Sequence, residues 1–145
     1  MVHINFKNLI LIMKKITIVA IAIFLSFSLY AQKQQTTYPF VVKFNSECCG
    51  VPDAAPLLKS INTFKKKNSV KHLTYFKIAP MGREGEYYMA FTLKELNKKK
   101  ATAFIKQINA TALKMKDKGS ATTEENMVID KVSLSGRTTI TKGIL

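Results

Sequence analysis

The feature that most limits what this chain can become is a hydrophobic period that switches between two and 3.6 along its length. Phe40, Val42 and Phe44 alternate over Tyr38 to Phe44, which puts one apolar face on a strand. From Asp53, a candidate N-cap, Leu57, Leu58, Ile61 and Phe64 fall at helical spacing and predict a helix over 53–67. Pro56 suits the first turn, where its missing N–H is not needed, and Lys65-Lys66-Lys67 suit the negative end of the helix dipole. Val70 to Ile78 is β-branched and aromatic and reads as a second strand. Pro80 to Gly85 is a turn by composition, and Glu86 to Leu93 is a third strand with Tyr87, Met89, Phe91 and Leu93 on one face. A long helix follows over about 95–116, with Ala101, Phe104, Ile105, Ile108, Ala112 and Met115 as its buried stripe. Asp117 to Asn126 reads as a polar loop, Met127 to Leu134 as a fourth strand and Thr138 to Ile144 as an extra C-terminal strand.

The order strand, helix, strand, strand, helix, strand is that of the ferredoxin-like plait (βαββαβ), an α+β fold. Two right-handed crossovers would set both helices on one face of an antiparallel sheet. That topology gathers the loop carrying Cys48 and Cys49, the hairpin turn with Met81 and Arg83, and the loop after the second helix at one end. Lys65, Lys66 and Lys67 then gather with Lys98, Lys99 and Lys100 at the other. The fold alone names no activity.

Ahead of this domain, Met13-Lys14-Lys15 precede an apolar run from Ile16 to Leu29 and then Tyr30-Ala31-Gln32. A short basic segment, a run of that length and a small residue before a polar stretch predict a signal peptide over 1–31, cleaved after Ala31. The run is shorter than the roughly 20 residues that span a bilayer, so no integral membrane protein is expected after cleavage. Residues 1–12 read as an over-called start, and no cysteine near the cleavage point offers a lipid attachment site. Export to the periplasm or the medium is the expectation. Residues 32–37 read as a flexible lead-in and 38–145 as a single domain.

Removing residues 1–31 takes away three lysines and no acid, so 20 cations face nine anions in the remaining 114 residues, a net charge of +11. Such an excess favours an anionic partner: an acidic envelope component or an acidic protein. Two lysine triplets at adjacent helix ends would concentrate that charge over a span comparable with the roughly 8 Å Debye length at physiological salt. Export argues against RNA as the partner, although Tyr75, Tyr87, Tyr88 and Phe91 invite comparison with plaits that stack bases. Tyr87 and Phe91 fall on the core face by alternation. Tyr75 and Tyr88 are assigned to the other face, which suggests a homodimer through the sheet.

The two cysteines are adjacent, Cys48-Cys49. Neighbours close a strained eight-membered ring, so they are no ordinary structural disulfide. They are free, bound to a soft ligand, paired between chains, or joined in a labile vicinal bond. A helix N-terminus following them would favour thiolate over thiol. Val41-Val42-Lys43-Phe44-Asn45-Ser46-Glu47-Cys48-Cys49-Gly50 resembles the first strand and cysteine loop of heavy-metal-associated domains. That family separates its two cysteines by two residues, whereas here they touch, and Asn45 or Ser46 stands where it usually has methionine. The resemblance implies a soft ion such as Cu(I) at Cys48 and Cys49, and the softness of a thioether together with the hairpin's place at the same end adds Met81 as a candidate third ligand. Met115 and Met127 lie near the same end, and core filling is their commoner use.

Enzyme signatures are missing: no glycine-rich phosphate loop, nucleophile elbow or paired-carboxylate motif occurs. Once residues 1–31 are removed, His72 is the lone histidine. Asn109-Ala110-Thr111 matches a glycosylation acceptor but falls on a predicted helix. The expectation is a small exported protein that binds rather than catalyses, taking a soft metal on its cysteine loop. The alternative is a basic interaction protein docking on an acidic partner.

Overall fold

A computed structural model describes residues 35–145 except Ser135. The expected signal peptide, and residues 32–34 of the expected lead-in, lie outside the described residues. The element order is β1 (Gln35–Ser46), α1 (Ala55–Lys67), β2 (Thr74–Ala79), β3 (Tyr87–Phe91), α2 (Lys98–Ala112), β4 (Gly119–Asp130) and β5 (Thr139–Ile144). This is a mixed α+β fold with two helices and one five-stranded sheet of order β4-β1-β3-β2-β5. β3 runs antiparallel to both β1 and β2, and β5 runs antiparallel to β2. Leu73 and Leu145 exchange backbone hydrogen bonds just beyond the last pair and lengthen the β2–β5 ladder.

Directly paired residues share a face of the sheet, and the register follows the apolar pattern. Phe40 faces Phe91, Val42 faces Met89 and Phe44 faces Tyr87. These residues form one core with Leu57, Ile61 and Phe64 of α1 and Phe104, Ile108 and Ala112 of α2. Both helices therefore pack on the same face. Phe104 is the hub, with ring centroids 6.1 Å from Phe40, 5.2 Å from Phe64 and 5.4 Å from Phe91 in edge-on contacts. Burying a side chain of this kind contributes about 2–3 kcal/mol. Tyr75, assigned to the other face from sequence, lies opposite Phe91 and packs on the helix side. Tyr88 does lie on the far face, in a second apolar cluster with Tyr38, Val41, Ile78, Ala90 and Ile129.

The fourth strand is displaced from its expected place. β4 begins at Gly119, so most of the expected polar loop is strand, and Lys131 to Leu134 form a turn instead. β4 is an edge strand that pairs with β1 and buries only Gly119, Ala121 and Ile129, so its polar composition hides it. Asn126 has a φ of 54°, and alternation breaks there. Ala121 sits in the helix-side core while Ile129, of the same parity, sits in the far-side cluster.

α2 is shorter than its apolar stripe suggests. Leu93 takes a φ of 54° and Leu96 donates its backbone N–H to the Leu93 carbonyl, so these two buried leucines belong to a turn. The helix starts after Asn97, whose side chain accepts from the Lys100 N–H at 2.9 Å. β2 likewise starts at Thr74 rather than Val70. Asp53 is not the N-cap of α1, which is Ala54, but its carboxylate accepts from the Ala55 N–H at 3.0 Å.

Candidate functional site

The cysteine loop leaves β1 at Ser46 and is pinned on two sides. The Cys48 N–H donates to the Lys118 carbonyl at 3.3 Å, tying the loop to the segment after α2. The Ser46 hydroxyl donates to the Glu84 carboxylate on the β2–β3 hairpin and accepts from the Gly50 N–H at 3.3 Å. Cys49 and Gly50 turn the chain with φ of 63° and 121°. Only glycine adopts the second of these without strain.

Both cysteines are free and exposed, with their sulfurs 2.9 Å apart. The hydrogen bond to Cys48 pushes the Cys49 thiol above its ordinary range, helped by slight desolvation and the nearby Glu84 charge. The expected thiolate-favouring environment is thus not what Cys49 meets. The first turn of α1 begins several residues later, and the nearest named charge is negative. Met81 packs against the far-side cluster, and Met115 is buried in the core. Among the described residues no group of three or more His, Cys, Asp or Glu side chains could hold a metal ion.

At the opposite end the two lysine triplets meet. Lys65, Lys66 and Lys67 form the last turn of α1, and Lys98, Lys99 and Lys100 form the first turn of α2. Lys100 Nζ donates to the Asn68 carbonyl at 2.7 Å and fastens one helix end to the other. Lys65, Lys66 and Lys71 also line a groove of about 400 Å³ with Asn62, Ser69 and Val70.

The two triplets differ electrostatically. Lysines in the last turn of α1 face a negative helix end, whereas those in the first turn of α2 face a positive one. α2 carries no acid in its first turn and no base in its last, so its charges run against its dipole. No acid occurs between Asp53 and Glu84, or between Glu95 and Asp117, so neither helix carries one. Lys59 and Lys106 extend the basic surface along the exposed sides of α1 and α2.

Glu95 is the single acid between Glu86 and Asp117 and is occupied in holding the fold. Its Oε1 accepts from the Thr74 N–H at 3.1 Å. Burial pushes its carboxyl up, but hydrogen bonds from Thr74 and the charge of Lys142 outweigh that and leave it below its usual range.

A polar seam that the apolar pattern could not disclose joins the helices. Gln107 Nε2 donates to the Ser60 carbonyl and hydroxyl at 2.9 and 3.0 Å, and the Thr111 hydroxyl donates to Ser60 at 2.9 Å. Asn109 of the glycosylation triplet lies within α2 with its Oδ1 buried. His72 is exposed at the basic end, just before β2.

No family model matches this chain, and no curated protein or solved structure matches it.

Proposed function

We propose that this is a small exported binding protein, not an enzyme, that docks its lysine-covered helical layer on an acidic envelope component. The observation that carries this reading is the lysine triplet in the first turn of α2. Each cation there opposes the helix dipole by about 0.3–1 kcal/mol. Lys98 and Lys99 oppose it without a compensating bond, beside a second triplet and with no acid on either helix, whereas Lys100 is held by the Asn68 carbonyl. A cationic surface of this kind binds phosphate- or carboxylate-bearing polymers through counterion release, and the affinity falls steeply with salt.

The fold reading that accompanies this is a ferredoxin-like plait with a fifth strand added beside β2. The order β4-β1-β3-β2 supports it, because β1-α1-β2 and β3-α2-β4 each cross over one intervening strand. Export rests on the sequence of residues 1–31. No helix among the described residues is long and apolar enough to cross a membrane.

Sedimentation with phosphatidylglycerol-containing vesicles tests the docking, with pure phosphatidylcholine vesicles as the neutral reference. Binding should be confined to the anionic vesicles, should weaken as salt rises, and should be lost when all six triplet lysines become glutamine. Equal binding to both vesicle types, or indifference to the six substitutions, defeats the reading.

A second reading is favoured by the exposure and proximity of the two sulfurs, 2.9 Å apart. Two thiolates have the softness that Cu(I) selects. The pair supplies two donors, and Met81 is committed to the far-side cluster, so a third must come from solvent or a partner.

A further inference from the structure

Of the 23 cationic side chains in this chain only two are arginines, Arg83 and Arg137. Both line one cleft of about 1060 Å³, and among the described residues no lysine lines it. Arg83 comes from the β2–β3 hairpin and Arg137 from the β4–β5 connection. Distant segments therefore bring to one cleft the two arginines of a chain that otherwise uses lysine.

The ladder explains the meeting. Ala79 pairs with Thr139 at the end of the β2–β5 register. The Thr138 hydroxyl donates to the Pro80 carbonyl at 2.7 Å, and the Thr139 hydroxyl donates to the Ala79 carbonyl at 3.1 Å. Extending the same antiparallel register two steps past Ala79 and Thr139 brings Arg137 level with Met81, two residues from Arg83. Met81 and Leu134 give the cleft an apolar side, and both pack on the far-side cluster. Gly136 leaves open space at one wall, whereas the Glu86 carboxylate fills the space beside Gly82.

The nearby carboxylates take other hydrogen-bond donors and pair with neither arginine, although that of Glu86 lies against Gly82 of the cleft. Glu84 accepts from Ser46, and Glu86 accepts from the Glu84 N–H at 2.9 Å. The ion pair found among the described residues joins Lys43 to Glu124 on other strands. Arg83 and Arg137 are both exposed, both line the cleft, and neither forms an ion pair among the described residues.

We propose that this cleft binds a small organic anion, a carboxylate or phosphate group carried on an apolar body. Arginine presents a planar fork that matches either oxyanion in two parallel hydrogen bonds, which an ammonium point charge does not. The apolar side of Met81 and Leu134 receives the body. The site is separate from the lysine surface and does not depend on it.

Titration of the intact protein with phenyl phosphate and with phenylacetate, followed by backbone amide shifts and calorimetry, tests the assignment. Inorganic phosphate and benzyl alcohol supply the bare anion and the bare body. At least one organic anion should bind saturably, more tightly than either reference, with the Gly82, Gly85 and Gly136 amides moving. Preference between the two identifies the oxyanion. Arg83→Lys and Arg137→Lys keep the charge and should each weaken binding by roughly tenfold, as loss of a bidentate contact requires. The triple change Lys65→Gln, Lys66→Gln and Lys67→Gln should leave it unaltered. Absence of saturable binding by every probe overturns the proposal. So does full retention of affinity in both arginine variants, or an equal loss in the lysine triple variant.

Discussion

Lys100 Nζ donates to the carbonyl oxygen of Asn68 across the gap between the two helices. That one bond satisfies an acceptor at the C-cap of α1 with a cation from the first turn of α2. Lys100 is thereby a structural member of its triplet, and Lys98 and Lys99 are left exposed. The three lysines should respond differently to substitution.

Lys100→Met should lower stability by about 1 kcal/mol, since it removes a charge-assisted bond to a helix-terminal carbonyl. Urea denaturation should show a lower midpoint with an unchanged slope. No change would mean that water satisfies Asn68 equally well.

Lys98→Glu and Lys99→Glu should each stabilise the protein, by about 0.3–1 kcal/mol at low salt, because an acid replaces a base at the positive end of α2. The same variants should bind anionic vesicles more weakly. Thermal melts and vesicle sedimentation read the two effects separately, and their opposite signs are the expected result.

Tyr87 stacks on Phe44 with ring centroids 4.3 Å apart and the planes 12° from parallel. Burial, with the Asp53 and Tyr75 charges, pushes its hydroxyl up from the ordinary 10 to about 12. The folded state therefore holds this proton more firmly than the unfolded chain. The resulting stabilisation is complete below about pH 10 and is lost as pH rises toward about 12. Tyr87→Phe should flatten the alkaline decline of stability in that window, measured as denaturant midpoints across pH.

Gly119 begins β4 with its Cα against the backbone of Asn45, and a Cβ there would collide with the Asn45 carbonyl oxygen. Gly119→Ala should cost about 1–3 kcal/mol, because backbone rather than a flexible side chain must move. Gly136→Ala, with nothing within 4 Å, should fall within about 0.5 kcal/mol of the parent. Equal melting temperatures for the two variants would contradict this.

Cys48→Ser, Cys49→Ser and the double variant should keep the parent's stability to within about 0.5 kcal/mol, since both side chains are exposed. If the pair takes a soft ion, the reduced parent should bind about one equivalent of Cu(I) and each single variant should lose most of that affinity. Native mass spectrometry reads both the metal and any disulfide.

The sequence disclosed those elements that place their large apolar side chains in the helix-side core. β1, β3 and the apolar stripes of both helices are visible because Phe40, Phe91, Ile61 and Phe104 all point into a single core. Leu93 and Leu96 mimic a continuation of the α2 period, and only backbone geometry reveals a turn there. Tyr75 was assignable to a face only once its partner Phe91 was known. The cysteine loop and the lysine triplets stand out as local runs and keep their expected exposure. Arg83 and Arg137 share no run and no period. They meet through the β2–β5 register, which a one-dimensional pattern does not encode.

The break at Asn126 bears on what the β4 edge can offer a second chain. β4 spans twelve residues at an open sheet margin, long enough to template a neighbouring chain. The left-handed residue divides that margin into two shorter runs whose donors and acceptors no longer point along one line. A second molecule approaching β4 side by side can register with one run only. An uninterrupted β4 would offer a longer continuous edge for strand addition.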